Sequence, residues 1–284
     1  MKDTPNKGIN LKKDELYARL LQEKVITIDD ILEAAEGIVS NPTRNHILKK
    51  YVRKFLKEGK LVRIRRGLYA SLEPTQDPQS FTPDKFLVGA KIREDGFLGY
   101  HTALEFHGSA NSAVYNTVYV CVDKSKGFEE FSFSGLRFKA VSPQDTEKGV
   151  VKEKYQGQSV VVTDKERTFI DCLDRVKYAG GWEECLKSLE SLRSLDFDRL
   201  IDHLFLREND FLRRKAGFVL NLLRETSGFY EHLTDEHLKK LSESTGKTPR
   251  YLEGGKETGE KPTFNKEWNL YVHQNFEERF LRGA

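Results

Sequence analysis

The sequence predicts an α+β multidomain chain: an N-terminal winged helix-turn-helix followed by a mixed α/β C-terminal domain. Three observations predict it. Helical periodicity recurs three times before residue 58 and then gives way to two short strand-like runs around a tight RRG turn. A stretch with three prolines and no periodicity, LEPTQDPQSFTP, follows at 72–83. Beyond it, strand-like and amphipathic helical segments are interspersed to the end of the chain. The expected organisation is 1–73 for the winged helix, 74–83 for a linker and 84–284 for the C-terminal domain.

In the first helix, LKKDELYARLLQEKV, the residues Leu16, Tyr17, Leu20 and Leu21 share one face. The second, TIDDILEAAEG, has Thr27 or Asp29 to cap it. Ile28, Ile31, Leu32 and Ala35 turn inward, and Gly37 stops it. For the third, Asn41 is a natural N-cap with Pro42 at the first helical position. It is expected to run to about Lys57 and stop at Gly59. LVRI and LYA then form the ribbon.

The C-terminal domain opens with helical PDKFLVGAKI and YHTALEFHG. TVYVCV, FSFSGLRFKAV and QSVVVT read as strands. TDKERTFIDCLDRV starts a helix in which Thr163 and Glu166 have capping-box spacing. GGWEECLKSLESL, FDRLIDHLFLR, FLRRKAGFVLNLLRET and LTDEHLKKLSEST read as further helices. TGKTPRYLEGGKETGEKPTFN reads as loop. The last stretch, EWNLYVHQNFEERFL, carries Trp268, Leu270, Tyr271 and Phe276 and is expected to dock on the body.

Composition narrows the function class. An apolar share of 38% supports real cores, while 32% charged residues, above the usual quarter, describe a well-solvated surface. No apolar run approaches the roughly 18 residues of a membrane span, and the first residues lack the apolar core of a signal peptide. Cys121, Cys172 and Cys185 are odd in number and far apart, so neither a disulfide framework nor a thiolate zinc site is expected, and a reducing cytoplasmic setting is. The net charge of +3 hides an asymmetry. Residues 1–76 hold sixteen Lys or Arg against ten Asp or Glu, and the remainder thirty-one against thirty-four. Such a split points to a polyanion partner for the first unit alone.

Within residues 41–70 stand ten Lys or Arg and a single acid, Glu58. At 100° per residue the third helix separates into two faces. Ile47, Leu48, Tyr51, Val52, Phe55 and Leu56 form the apolar stripe. Thr43, His46, Lys49, Lys50, Arg53 and Lys57 lie opposite. A merely solvated helix usually alternates acids with bases, because such pairs stabilise it slightly. Here the like charges repel one another, and a polyphosphate would relieve the repulsion. Arg63, Arg65 and Arg66 extend the field to the ribbon tip. The expected ligand is double-stranded DNA, with the helix in a groove and the ribbon on adjacent backbone. Thr43, Asn45, His46 and Lys49 are assigned to base edges, and Lys50, Arg53, Arg63, Arg65 and Arg66 to phosphates. Arg44 is ambiguous, since its angle falls near the apolar stripe.

No catalytic set emerges, and neither cofactor nor metal is expected. His101 and Glu105 share a helical face, with His107 next, but no third or fourth metal ligand is visible. GSAN at 108–111 is like the start of a nucleotidyltransferase site. The paired carboxylates such a site needs are missing, since Ser125 stands where a partner for Asp123 should be. Glu58-Gly59-Lys60 is better explained as a helix end than as a nuclease motif. Cys172 sits among apolar neighbours. Arg167, Asp171, Asp174 and Arg175 read as structural charge pairs.

The combination of VRIRRGLY, GYHTALEFHG and VVVTDKERTFIDCLDRVKYAGGWEECL resembles the abortive-infection AbiEi antitoxin family, also described as transcriptional regulators of viral defence systems. The resemblance spans residue 11 to about 275. TDKERTFIDCLDR and AGGWEE are its most specific parts, and RYLEGGKETGEKPTFNKEWNLYV is similar to the family's C-terminal pattern. It implies a repressor that binds operator repeats in its own promoter. Its C-terminal domain would counter a nucleotidyltransferase-fold toxin, without direct contact being required, in a type IV toxin–antitoxin system. The alternatives are a free-standing winged-helix transcription factor whose second domain senses a ligand or partner, and a DNA-processing enzyme. The latter would need a carboxylate cluster converging with a Lys within 84–230.

Overall fold

The structure is a computed structural model that describes residues 5–253 and 262–282, with side chains described from residue 11. Its first unit runs helix α1 (Pro5–Leu20), strand β1 (Val25–Thr27), α2 (Ile28–Ala35), one long basic helix, and a hairpin of β2 (Leu61–Arg65) and β3 (Leu68–Ser71). The basic helix has three parts. These are α3 (Arg44–Ile47), a π turn (Leu48–Val52) and α4 (Arg53–Lys57). The three strands form an antiparallel sheet in the order β1-β3-β2. β1 lies where the periodicity suggests only the end of one helix and the start of the next. Its three residues are too few for a period-2 signal, and its pairing with Leu68, Tyr69 and Ala70 is what makes it a strand.

Local chemistry sets the boundaries. Thr27 closes a full capping box with Asp30 at the start of α2. The basic helix is capped by Thr43, whose hydroxyl accepts from His46 N at 3.3 Å, and not by Asn41, which takes a left-handed φ of 50° two residues earlier. It ends at Lys57, and Lys60 N returns to Phe55 O at 2.9 Å around Gly59. Ile47, Tyr51, Val52 and Phe55 are buried with Leu16, Tyr17, Leu20, Ile28 and Ile31, forming the core of this unit.

Residues 74–83 carry no helix or strand, although Phe81 packs on the core that follows. The body contains a six-stranded mixed sheet ordered β6-β7-β5-β4-β9-β8. Its strands are β4 (Phe97–Leu98), β5 (Thr117–Cys121), β6 (Phe131–Phe133), β7 (Leu136–Val141), β8 (Val150–Tyr155) and β9 (Gln158–Thr163). β5 is buried along its whole length, with Val118 and Val120 on one face and Tyr119 and Cys121 on the other. The first face is covered by α5 (Lys85–Ile92) and also by Val25, Ile64, Leu68, Ala70 and Leu72 of the first unit. β8 is a charged edge strand, VVKEKY, joined to β9 by the two-residue turn Gln156–Gly157. Its three consecutive charged residues, Lys152, Glu153 and Lys154, hide it from a hydrophobic reading.

After α6 (His101–Phe106) and the sheet come α7 (Lys165–Asp174), α8 (Trp182–Glu190), α9 (Phe197–Leu206), α10 (Asp210–Thr226) and α11 (Asp235–Ser242). α7 is capped by Asp164, which accepts from Arg167 N at 2.8 Å. The Thr163–Glu166 box does not form. Glu166 instead accepts from Asp196 N at 2.9 Å, and Thr163 bonds the Thr168 hydroxyl at 2.7 Å. A small sheet of β10 (Arg250–Tyr251), β11 (Pro262–Asn265) and β12 (Leu270–His273), ordered β10-β12-β11, closes the fold. Part of the segment expected to be loop thus pairs as strand, and its residues 254–261 lie outside the described residues. Trp268, Leu270 and Phe276 dock into the helical core, as their composition suggests. Among the described residues, no helix is long and apolar enough to cross a membrane.

Candidate nucleic-acid interface

The buried stripe of the basic helix fixes its orientation, and the opposite side faces solvent. Thr43, Arg44, Asn45, Lys49, Arg53 and Lys57 are exposed, while His46 and Lys50 are half-buried. Lys54, which a uniform helical wheel leaves at the flank of the apolar stripe, is exposed as well. A π turn holds more residues than an α turn, so the segment Leu48–Val52 rotates every later side chain relative to that wheel.

Charge on this surface is largely uncompensated. Among the described residues, Lys49, Lys50, Arg53, Lys54, Lys57, Arg63 and Arg66 make no ion pair, whereas Arg44 reaches Asp29 at 3.3 Å across exposed solvent. The lone acid of the stretch is occupied from the opposite side. Glu58 is bonded by Lys13 at 2.8 Å and paired with Lys60 at 3.4 Å, and the bond from Lys13 holds its carboxyl below the ordinary carboxylate value. The hairpin turn is secured to the start of α2 by Ile28 N donating to Gly67 O at 2.9 Å.

Arg63 and Arg66 are exposed on this hairpin, but Arg65 is not a free tip. Its guanidinium turns onto the body, 4.8 Å from the Phe131 ring centre and 5.7 Å from that of Phe128, and its Nη1 is buried without a hydrogen-bond partner. The irregularity in the β2–β3 register between Arg63 and Arg65 accompanies this turn of direction. The expectation of Arg65 as an exposed tip is therefore corrected. The sequence could not show that a second unit packs beside the hairpin.

A second polar constellation lies buried where α6 meets α8. Glu184 accepts from His101 Nε2 at 2.9 Å, Ser112 N at 2.9 Å, Asn111 Nδ2 at 3.3 Å and Ser188 Oγ at 3.1 Å. His101 stacks on Tyr115 at 3.7 Å, and Glu105 pairs with Lys85. The GSAN loop is thus held by the AGGWEE segment. With His101 fully buried, the arrangement is a structural junction. Further along, Arg167 joins Asp171 at 3.0 Å, and Arg207 joins the same carboxylate at 2.6 Å, which binds α7 to the end of α9. Among the described residues, no three His, Cys, Asp or Glu side chains converge in a way that could hold a metal ion.

No family model matches the chain. No curated protein matches it either. Among solved structures, the crystal structure of the Rv2827c protein from Mycobacterium tuberculosis is similar, with a TM-score of 0.62 at 12% identity over 92% of this chain and 91% of that chain. At that identity the likeness concerns the mixed α/β fold alone.

Proposed function

We propose that the N-terminal unit is a winged helix-turn-helix that binds duplex DNA, and that the chain is a repressor of its own operon acting as the antitoxin of a type IV toxin–antitoxin system. The observation that carries the DNA reading is the row of unpaired cations on the outer side of the basic helix. Five like charges on the helix, with Arg63 and Arg66 on the hairpin beside it, have no carboxylate partner among the described residues, an energetic cost that a duplex backbone would remove. The strand order β1-β3-β2 and the hairpin beside the helix are compatible with a groove-entering helix flanked by a wing. Thr43, Asn45, His46 and Lys49 would read base edges near the helix start. Lys50, Arg53, Lys54, Lys57, Arg63 and Arg66 would hold phosphates. The antitoxin role rests on the family resemblance of the sequence. Its partner would be a nucleotidyltransferase-fold toxin, opposed without obligatory contact.

Fluorescence anisotropy on duplex DNA from the chain's own promoter tests the first part. With six to eight phosphate contacts, log affinity should fall against log salt with a slope of roughly −5 to −7. Lys49→Ala/Lys50→Ala/Arg53→Ala should make that slope shallower by about 3. Arg65→Ala should leave it unchanged, because that guanidinium faces Phe131. A near-flat salt response of the native chain would refute DNA binding. Rescue of growth on co-expression with a neighbouring nucleotidyltransferase tests the antitoxin role.

A further inference from the structure

The small sheet at the end of the chain carries a row of rings that the fold does not use as core. In β12, Leu270 and Val272 turn inward onto the helical core, so Tyr271 between them turns outward. Tyr251 of β10 and Phe264 of β11 both stand directly opposite Tyr271 in the register. Directly opposed residues share a face, so the three rings cross all three strands in one line. Tyr251 stacks on Tyr271 with centres 5.0 Å apart, and Phe264 lies 5.3 Å from Tyr271 on the other side. Cross-strand ring pairs stabilise any sheet. They do not require the outermost ring to remain open, yet Phe264 is 45% exposed.

Charge around the row selects the ligand class. Lys247, just before β10, and Lys266, two residues beyond Phe264, are exposed and make no ion pair among the described residues, whereas Arg250 stands opposite the inward Leu270 and lies over the Phe211 ring on the other face. Among the described residues, Glu253 two positions after Tyr251 is already engaged by His273 and lies 3.9 Å from Arg279. An exposed ring at the end of a stacked aromatic row, with unpaired cations nearby, is what a single-stranded nucleic acid needs. Bases stack on the rings regardless of sequence, and the cations follow the phosphates. The geometry points to Tyr251, Tyr271 and Phe264 as a base-stacking platform for single-stranded nucleic acid, separate from the duplex-binding face proposed for the basic helix.

Two labelled probes of about twelve nucleotides test this with the full chain: an oligouridylate and an abasic strand of the same length. The native protein should bind the oligouridylate and bind the abasic strand at least about tenfold more weakly, because the latter keeps the phosphates and loses the stacking. Tyr251→Ala/Phe264→Ala should weaken oligouridylate binding about tenfold or more. Phe264→Leu, which keeps the apolar bulk and leaves the melting temperature in place, should weaken it too. Lys49→Ala/Lys50→Ala/Arg53→Ala should leave it intact, so a failure of the duplex reading is told apart from a failure here. Equal binding of the two strands, unchanged affinity in both platform variants, or no binding by the native chain would overturn the platform. Loss confined to the basic-helix variant would assign the binding to that helix instead.

Discussion

At the scale of single residues, Glu184 shows how a buried charge is held. Its side chain is 10% exposed and receives hydrogen bonds from His101, Ser112, Asn111 and Ser188. Burial alone would raise its pKa. The bonds from Ser112, His101 and Asn111 outweigh that and bring it down to about 2. A folded-state pKa below the unfolded one means stability that is present above about pH 4.3 and lost as pH falls toward 2. Glu184→Gln should therefore destabilise the protein by about 2 kcal/mol at neutral pH, since charge-assisted bonds are replaced by weaker ones and one acceptor oxygen becomes a donor. In urea titrations the gap between native and variant should narrow from pH 7 to pH 3. A gap of constant size would show that the carboxylate's charge is not what matters. The sequence displays His101 and Glu105 on one helical face, but their junction is completed from a residue 83 positions away. Pattern reading stops at such distances.

At the scale of elements, long amphipathic segments were legible and short ones were not. The basic helix declares both faces because its stripe persists for three turns, and α9 and α10 likewise alternate buried and exposed positions, whereas α7 is buried on every side. β1 and β4, three and two residues long, carry no period of their own and exist through their neighbours. The π turn was equally hidden, because residue types do not announce a change in turn size. Helix α10 adds a packing case that propensity alone would get wrong. Gly217 lies in its interior, where replacing Gly by Ala ordinarily gains about 1 kcal/mol. A Cβ there would sit 1.9 Å from a ring carbon of the fully buried Trp268. Ring and backbone cannot both stay, so overpacking of about 3 kcal/mol should exceed the propensity gain. Gly217→Ala should lower the thermal midpoint and loosen the C-terminal segment, visible as a red shift of tryptophan emission. A midpoint equal to or above the native one would mean that Trp268 does not pack there.

At the scale of the molecule, the proline-rich stretch suggests two independent units, whereas the two share a core. Val25, Ile64, Leu68, Ala70 and Leu72 lie in one apolar cluster with Leu87, Val88, Val118, Val160 and Val162. Composition marks where a connection can bend, not whether the surfaces on either side adhere. Polar contacts specify the join. Gln158 takes the place of a neighbouring strand for β1, accepting from Lys24 N at 2.8 Å and Val25 N at 3.3 Å and donating to Val25 O at 3.0 Å. Lys91 of α5 reaches Glu23 and Asp30, each at 2.9 Å. Gln158→Ala would leave backbone groups at a buried edge without partners, at a cost of about 3 kcal/mol falling mainly on the first unit. Both tryptophans, Trp182 and Trp268, belong to the far unit, so their fluorescence follows that unit, while far-ultraviolet circular dichroism follows the whole chain. In the native protein the two urea curves should coincide, because the shared cluster couples the units. In Gln158→Ala the dichroism should begin to fall at lower urea than the fluorescence, as the first unit opens on its own. If both curves of the variant shift together, the coupling resides in the apolar cluster and the glutamine only adds to it. If neither shifts, Gln158 does not tie β1 to the body.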